Sequence, residues 1–345
     1  MLKRLCLLLF LFILTFVEAQ SLSSTLTQRG GMHNALFLNP ANLSSQHSNS
    51  KIKATILDTT LSLSDESYSF LKELKSATSA SNKNREISQL LKKNIGNILS
   101  FSAHNFSSLS QTQENLSWSL GLANTIDGYF ITHSGFGSKG AMESFIEEYK
   151  ALIATLSLRK ELIDYGINIK AIEKTQSIHN YSINEMIKNS SFSDYFDGQN
   201  TQKESALGID MGIVYRVPKY DFNPQFSFSV LNIGDSSFQD IGSLPSTSNI
   251  GFLLTPYKNS SLQLDYIDLF KHQKNQHFED AFRLNLSQDF LNKQFKLNTG
   301  IVYNALSFGA EYRYSLFSLA VHSYKTKNYN QEKERRYTLS IALSW

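Results

Sequence analysis

Few residues of this sequence have the types and spacing that catalytic or metal chemistry requires. Residues 135–140 read Gly-Phe-Gly-Ser-Lys-Gly, but the spacing is not that of a phosphate-binding loop and the stretch follows a predicted hairpin strand. His272 and His277 are the nearest histidine pair, and their five-residue separation is not a metal-ligand spacing. No Gly-x-Ser-x-Gly nucleophile motif occurs. We therefore predict no catalytic, cofactor-binding or metal site, and no enzyme.

A second group of chemically active residues is charged and lies at alternating positions. A Lys or Arg side chain facing lipid costs about 2–4 kcal/mol near the bilayer midplane, so such residues should face the interior of a membrane barrel. Their mixed signs predict ion pairs around a plug rather than a strongly selective pore. They either fill and solvate the lumen, which is the favoured interpretation, or form a substrate site. The residues are Asp164, Lys170, Asp210, Arg216, Arg283, Glu311 and Arg313.

The segments that carry these residues alternate between apolar and polar positions. In residues 207–217, Leu207, Ile209, Met211 and Ile213 share one face, and Gly208, Asp210 and Gly212 share the other. A period of two places the two sets on opposite faces of a strand. Apolar-out and polar-in segments of about ten residues are typical of a transmembrane β-barrel. We predict an all-β fold, a closed antiparallel transmembrane barrel spanning residues 51–345.

The strand count follows from the turn signals between these segments. Asn223-Pro224, Asn304-Ala305 and residues 257–261 separate runs spaced like hairpins. We count about nine strands from residue 205 onward and five or six before it, and expect an even total of about 14. Residues 69–96, 140–149 and 175–204 break the rhythm and are predicted helical insertions on the outer side. Residues 332–336 are interpreted as a solvated hairpin loop.

The N-terminal residues predict secretion. Lys3 and Arg4 precede an apolar run, and Val17-Glu18-Ala19 ends it like a signal-peptidase site, so we expect a signal peptide over residues 1–19. The apolar run is too short for a retained membrane anchor. Cys6, the only cysteine, lies within it, so the mature chain has no disulfide. The net charge of +3 shows no concentrated basic face and argues against nucleic-acid binding.

The last nine residues alternate strictly and end on an aromatic residue. This pattern resembles the C-terminal strand of bacterial outer-membrane barrels, which the barrel-insertion machinery reads as an assembly signal. The resemblance implies that this machinery and outer-membrane lipid are partners of the chain. The residues of the apolar face are Tyr337, Leu339, Ile341, Leu343 and Trp345.

The N-terminal segment carries a family resemblance. Residues 30–43 read Gly-Gly-Met-His-Asn-Ala-Leu-Phe-Leu-Asn-Pro-Ala-Asn-Leu. This segment is similar to that of the long-chain fatty-acid transporter (FadL)-like barrels, and the order of later motifs most resembles the conjugal-transfer TraF-like outer-membrane proteins. The resemblance implies that residues 20–50, with Asn39, Pro40 and Ala41, form a plug or hatch inside the barrel. A plain periplasmic turn is the alternative.

Three functions stay open at this point. The first is passage or binding of a small, hydrophobic molecule across the outer membrane of a Gram-negative cell. The second is a structural or accessory barrel of an envelope or conjugation-type machine, without transport. The third is a soluble periplasmic all-β protein. The alternating pattern favours the first two, because its apolar face would otherwise need a second sheet to cover it.

Overall fold

A computed structural model describes the chain over residues 36–45, 52–78, 80–133, 140–182, 200–217, 222–270, 278–328 and 332–345. The predicted signal peptide, residues 135–139 and the pair His272 and His277 lie outside these ranges. In the described residues no helix is long and apolar enough to cross a bilayer.

The described residues form sixteen strands, numbered in chain order. β8 and β9 pair with each other in a loop, and the other fourteen belong to one sheet. The strands are β1 Ile52–Ser64, β2 Ile98–Gln113, β3 Leu116–Thr132, β4 Met142–Lys160, β5 Ile163–Tyr181, β6 Asn200–Arg216, β7 Gln225–Leu231, β8 Ser236–Ser237, β9 Ser243–Leu244, β10 Thr247–Leu254, β11 Ser260–Tyr266, β12 Phe282–Phe290, β13 Phe295–Val302, β14 Ala305–Tyr314, β15 Phe317–Lys327 and β16 Lys333–Ser344.

The fourteen-stranded sheet closes into an antiparallel barrel, as predicted. Neighbours in sequence are neighbours in the sheet, β10 follows β7, and β16 closes against β1. At the seam Leu61 faces Leu339, and the backbones of Ala54 and Trp345 exchange hydrogen bonds of 3.1 and 2.9 Å. Closure removes both edges of the sheet, so each of its fourteen strands has two partners.

The two faces of the barrel differ as the alternation predicts. Leu120, Leu156, Ile209 and Phe308 are among the large apolar side chains exposed on the outside. Their strand neighbours on the inner face are buried and mostly polar. These include Ser119, Ser157, Asp210 and Ser307. A barrel with an apolar outside and a polar inside suits lipid, and an uncovered apolar band of this extent does not suit a soluble protein.

The barrel wall is much taller on one side. β4 and β5 have 19 residues each, whereas β7 and β11 have 7 each. At about 3.3 Å per residue the difference is roughly 40 Å along the strands. We refer to β2–β6, which have 16–19 residues each, as the tall wall. The outer face of the upper tall wall carries Lys150, Glu173 and Lys203, which make ion pairs of 2.9–3.1 Å with neighbours or each other. The tall wall therefore extends beyond the apolar band.

The predicted insertion at residues 69–96 is helical, as expected. Helix α1 spans Asp65–Thr78 and α2 spans Lys83–Lys93. Phe70 of α1 packs against Ala77, Ile87 and Leu91, and also against Leu99 and Phe130 of the tall wall. The two helices thus cover the outer face of the tall wall above the apolar band. A third, short helix, α3, spans Phe278–Ala281.

The helix prediction at residues 140–149 was wrong. These residues begin β4, where Met142 and Ile146 lie on one face and Phe145 and Tyr149 on the other. Both faces are covered here, the outer one beneath the helical insertion and the inner one beneath the β7–β10 loop. Apolar residues on both faces of a strand produce a spacing that also fits one face of a helix.

Two further predictions need correction. In the 175–204 insertion, β5 continues to Tyr181 and β6 starts at Asn200, and residues 183–199 are not described. These strand ends lie above the apolar band. Both of their faces are mostly polar, so the sequence does not alternate there. Residues 332–336 are not a solvated loop, because β16 starts at Lys333. There Glu334 and Arg336 are buried in the lumen and pair at 2.6 Å.

Candidate functional site: the barrel lumen

The segment Asn39-Pro40-Ala41 lies inside the barrel. Asn39 and Ala41 are fully buried, and Pro40–Ser45 form a turn of 3-10 helix. Proline at the first helical position loses no backbone hydrogen bond. The Oδ1 atom of Asn39 accepts the Ala41 amide at 3.0 Å, which fixes the start of this turn. We refer to residues 36–45 as the lumen segment.

Two glycines on the tall wall allow the lumen segment to approach the strand backbones. A Cβ atom added at Gly166 of β5 would lie 2.2 Å from backbone atoms of Pro40 and Ala41. One added at Gly212 of β6 would lie 1.9 Å from Oδ1 of Asn39. Only glycine permits a contact this close. The lumen segment is therefore seated directly on β5 and β6.

Side chains of the wall also hold the lumen segment by hydrogen bonds. Asn168 donates to the Leu36 carbonyl at 2.8 Å, and Thr155 donates to Oδ1 of Asn168 at 2.6 Å. Asn39 donates from Nδ2 to the carbonyls of Ile213 and Phe228, both at 3.4 Å. Buried polar groups are thus satisfied between the segment and three neighbouring strands, β5, β6 and β7.

Asp164 and Arg216, two of the predicted lumen-facing residues, lie in one ion cluster. The cluster is at the end of the tall wall where β4 turns into β5, which we call the lower end. Asp164 is fully buried, accepts Arg159 at 2.9 Å and contacts Arg216. Arg159 also donates to the Ser44 carbonyl at 2.8 Å. The cluster therefore ties the end of the lumen segment to β4, β5 and β6. Arg159 was absent from the sequence prediction, although it lies only five residues from Asp164.

Lys170 and Asp210, both among the predicted lumen-facing residues, form a second ion pair, at 2.7 Å. Both reach the loop between β7 and β10, residues 232–246. Lys170 donates to Oδ1 of Asn232 at 2.6 Å, and Asp210 accepts the Asn232 amide at 2.8 Å. Asp210 also accepts Asn168 at 3.0 Å. One polar network therefore joins this loop to the residue that holds the lumen segment.

The loop of residues 232–246 folds against the inner face of the tall wall. Phe238 is fully buried and packs with Ile241 of the same loop against Ile172, Tyr149 and Ala206. Lys174 donates to the Ile241 carbonyl at 2.8 Å and pairs with Glu147 at 2.6 Å. The sequence analysis missed Glu147 and Lys174, because a polar strand end above the membrane gives no alternation signal. It missed Phe238 because a single aromatic residue in a loop has no local pattern.

An apolar strip runs down the inner face of β2–β5. It consists of Phe106, Ala123, Ala151, Ile153 and Ile172. At its lower part Leu36 and Leu43 of the lumen segment pack against Phe106, Ala123 and Ile153. Ala151 contacts both this cluster and the cluster around Phe238. The strip is therefore continuous from the β7–β10 loop to the lumen segment.

The opposite inner wall is polar. Asn249, Gln263, Asn285 and Asn298 are buried on β10 to β13. Among the predicted residues, Glu311 and Arg313 form a pair at 2.6 Å, with Arg313 nearly half exposed, and Arg283 lies opposite Asp265 in the sheet register. Four of the seven predicted charged residues, Asp164, Arg216, Lys170 and Asp210, belong to two clusters that hold the lumen segment and the β7–β10 loop. Glu311 and Arg313 pair with each other, and Arg283 is adjacent to Asp265 on the next strand. That the seven residues fill and solvate the lumen stays the favoured prediction, with substrate binding as the alternative.

The residues of the predicted assembly signal share the outer face of β16. Tyr337, Leu339, Leu343 and Trp345 are exposed there, and Ile341 lies between them opposite Thr59 and Leu319. Their recognition by an insertion machinery stays a prediction.

The described residues form a closed antiparallel barrel of fourteen strands with short helical insertions, which is the architecture of a transmembrane β-barrel. No protein-family model and no curated protein matches the sequence. Among solved structures, the Ralstonia pickettii toluene transporter TbuX matches with a TM-score of 0.62 and 9% identity, over 96% of this chain and 98% of that chain. The monoaromatic hydrocarbon channel CymD matches at 0.52 and 11% identity, over 96% and 97%.

The P. putida toluene transporter TodX matches at 0.50 and 10% identity, over 90% of this chain and 93% of that chain. These matches show the closed-barrel fold that the sequence resemblance implied, and none of them supports the TraF-like assignment. The apolar outer band supports insertion in a membrane and argues against a soluble periplasmic protein. The proteins they match are described as transporters and channels rather than enzymes.

Proposed function

We propose that this protein passes small hydrophobic molecules across the outer membrane. The observation that carries the proposal is the apolar strip inside the lumen, which links the β7–β10 loop to the lumen segment. A barrel that admits hydrophilic solutes has a polar interior, whereas this strip gives the lumen wall a continuous hydrophobic surface between the two lumen elements. The lumen segment lies at the lower end of the strip, where it would act as the hatch. The similar folds of hydrocarbon transporters agree with this assignment.

Cellular uptake tests the proposal. A Gram-negative host that expresses the protein should take up labelled toluene faster than the same host without it, while sucrose uptake should be unchanged. Ala151→Asp would place a carboxylate at the point where the two apolar clusters meet. We expect this variant to lower toluene uptake about tenfold, since 1.4 kcal/mol corresponds to a factor of ten.

The matched control introduces the same charge on the opposite wall. Asn285→Asp is isosteric, is buried on the polar inner face of β12, and should leave toluene uptake unchanged. Normal outer-membrane amounts of both variants would exclude an assembly defect. If the wild-type protein gives no toluene uptake, the passage function is wrong. The narrower TraF-like assignment, with an accessory role in an envelope machine, would then be favoured.

A further inference from the structure

The phenyl ring of Phe238 occupies a closed apolar pocket that is built mostly by the barrel wall. Its side chain is fully buried, and Ile172 and Ala206 of the wall contact it together with Ile241. Tyr149 meets it edge-on, with ring centroids 6.2 Å apart and planes at 67°. This arrangement is the one that aromatic pairs prefer, because the ring edge is positive and the ring face negative. The wall therefore offers a site shaped for one aromatic ring.

A buried cation adds an attraction for aromatic rings at this position. Nζ of Lys174 lies 5.3 Å from the centroid of Tyr149 and 5.8 Å from that of Phe238. Glu147 at 2.6 Å and the Ile241 carbonyl at 2.8 Å hold it in place. A cation within about 6 Å of a ring face is attracted by the π electrons, and a saturated ring of the same size offers no such attraction.

The residue that fills the pocket belongs to a strained loop rather than to the wall. Asn232, Asp235 and Gln239 have positive φ angles of 50°, 61° and 32°, and Gly234 and Gly242 also have positive φ. Backbone conformations of this kind cost about 1 kcal/mol or more each for residues other than glycine. The loop is held to the wall largely by Lys170, Asp210 and Lys174. Burial of Phe238 thus offsets the conformational energy that these backbone angles cost the loop.

The position of the pocket matches an entry site. It lies at the level where the outer face of β4 and β5 changes from apolar to charged, at Lys150 and Glu173. Its lower side touches Ala151, the start of the apolar strip. A molecule bound there would be beyond the membrane band and already in contact with the proposed path.

We propose that this pocket is a binding site for a single monoaromatic ring and that the Phe238 side chain, which fills it in this structure, competes with that ring. An incoming ring displaces Phe238, and the loop of residues 232–246 moves away from the wall. The inference rests on the proposed function, which it narrows to aromatic hydrocarbons. It concerns binding, so it can be tested without measuring passage.

Binding of toluene and methylcyclohexane to the purified full-length protein in detergent tests the site. The two molecules have similar size, and only toluene has π electrons. We expect the wild-type protein to prefer toluene. Phe238→Ala should strengthen toluene binding on the order of tenfold, because a competing internal ring is removed. Phe308→Ala, which removes an exposed ring on the outer face of β14, is the matched control and should change nothing.

Lys174 variants separate an aromatic site from a simple cavity. In the Phe238→Ala background, Lys174→Met should reduce the preference for toluene over methylcyclohexane about fivefold, and Lys174→Arg should restore it. Glu147 keeps hydrogen bonds from Tyr149 at 3.2 Å and Gln176 at 3.0 Å, so loss of the lysine does not leave it isolated. Equal affinity for both hydrocarbons, unaffected by Lys174→Met, would overturn the proposal.

Displacement of the loop can be measured as the accessibility of a buried residue close to Phe238. Ser236 is buried against Gly208, and Ser236→Cys should react slowly with a maleimide. Saturating toluene should accelerate this reaction at least severalfold, and methylcyclohexane should not. No acceleration at saturating toluene would contradict displacement. Toluene uptake without acceleration would refute this site alone, whereas acceleration without uptake would refute only the proposed passage.

Discussion

At the scale of single residues, the ion cluster around Asp164 ties the end of the lumen segment to the barrel wall. Its carboxylate is fully buried between Arg159 and Arg216. Asp164→Ala would leave two guanidinium groups without their shared counter-charge, and removal of one partner of a buried pair costs about 3–5 kcal/mol. We expect a loss of this order in the free energy of unfolding, measured by urea titration in lipid vesicles.

The comparison variant for this prediction is Glu311→Ala. Glu311 pairs with Arg313 at 2.6 Å, but the Arg313 side chain is 44% exposed. The Glu311 side chain is 14% exposed, but Arg313 stays hydrated without its partner, so we expect a smaller loss, of about 1 kcal/mol. Similar losses for both variants would show that Asp164 does not have the special role that its burial implies.

The sequence predicted which charged residues face the lumen but not which of them meet. Alternation predicts the face of each residue, and in the structure the side chains of Asp164, Lys170, Asp210 and Arg216 are 12% exposed or less. Their pairing depends on the register between β4, β5 and β6, which no local pattern encodes. The close contacts of the lumen segment with Gly166 and Gly212 could not be predicted either, because a glycine in a strand has many explanations other than contact with another backbone.

Gly166 provides a test of how tightly the lumen segment is seated. A methyl group at this position would lie 2.2 Å from backbone atoms of Pro40 and Ala41, which cannot move aside like a side chain. We expect Gly166→Ala to leave the barrel assembled and to displace the lumen segment. Ser44 is buried, so a cysteine at this position can react with a maleimide only when the lumen segment moves away from the wall. We expect the reaction to become at least tenfold faster, which corresponds to a change of about 1.4 kcal/mol in the free energy of that movement.

Gly208→Ala is the control for this experiment. Its added methyl group would meet Oγ of Ser236 and Cε of Lys170 at 2.9 and 3.0 Å, and both are side-chain atoms with room to adjust. The Ser44→Cys reaction should keep its slow rate. An unchanged rate in Gly166→Ala as well would mean that the lumen segment is not seated on β5.

At the scale of elements, strands inside the apolar band were predicted better than strands above it. β6 shows this within a single strand. Its residues 207–215 alternate cleanly, because one face meets lipid and the other the lumen. Its residues 200–206 are mostly polar on both faces and were assigned to an insertion. Alternation reports the contrast between two environments, so it disappears where both faces have similar surroundings.

β6 also allows the depth of the apolar band to be measured. Met211 lies near its middle and is 51% exposed, and Leu207 lies four residues higher and is 74% exposed. An arginine costs about 2–4 kcal/mol at the midplane and about 0–1 kcal/mol near the interface. Met211→Arg should therefore lower the free energy of unfolding in vesicles by several times more than Leu207→Arg. Equal effects would place the band elsewhere on the strand.

At the scale of the whole molecule, closure and strand number followed from the sequence, whereas the unequal height of the wall did not. The alternating segments and turns define fourteen strands, and lipid requires the sheet to close. Strand length above the membrane depends on what covers those strands. Here α1, α2 and the β7–β10 loop cover the tall wall from both sides. These contacts join distant parts of the chain and leave no periodic trace.

The orientation of the molecule follows from the same asymmetry. Short turns such as that at Asn115 lie at the end where β1 starts and β16 finishes, and the helices lie at the other end. Outer-membrane barrels have short periplasmic turns and long external loops. We therefore expect Asn82, exposed between α1 and α2, to face the cell exterior and Asn115, exposed between β2 and β3, to face the periplasm.

Cysteine labelling checks this orientation, since the sequence has a single cysteine, Cys6, within the predicted signal peptide. A maleimide too large for porins should label Asn82→Cys on intact cells and Asn115→Cys only after the outer membrane is permeabilised. The reverse pattern would place the lumen segment near the exterior, so that the Phe238 pocket would face the periplasm and serve as an exit rather than an entry. Labelling of both sites on intact cells would contradict insertion of the barrel across the membrane.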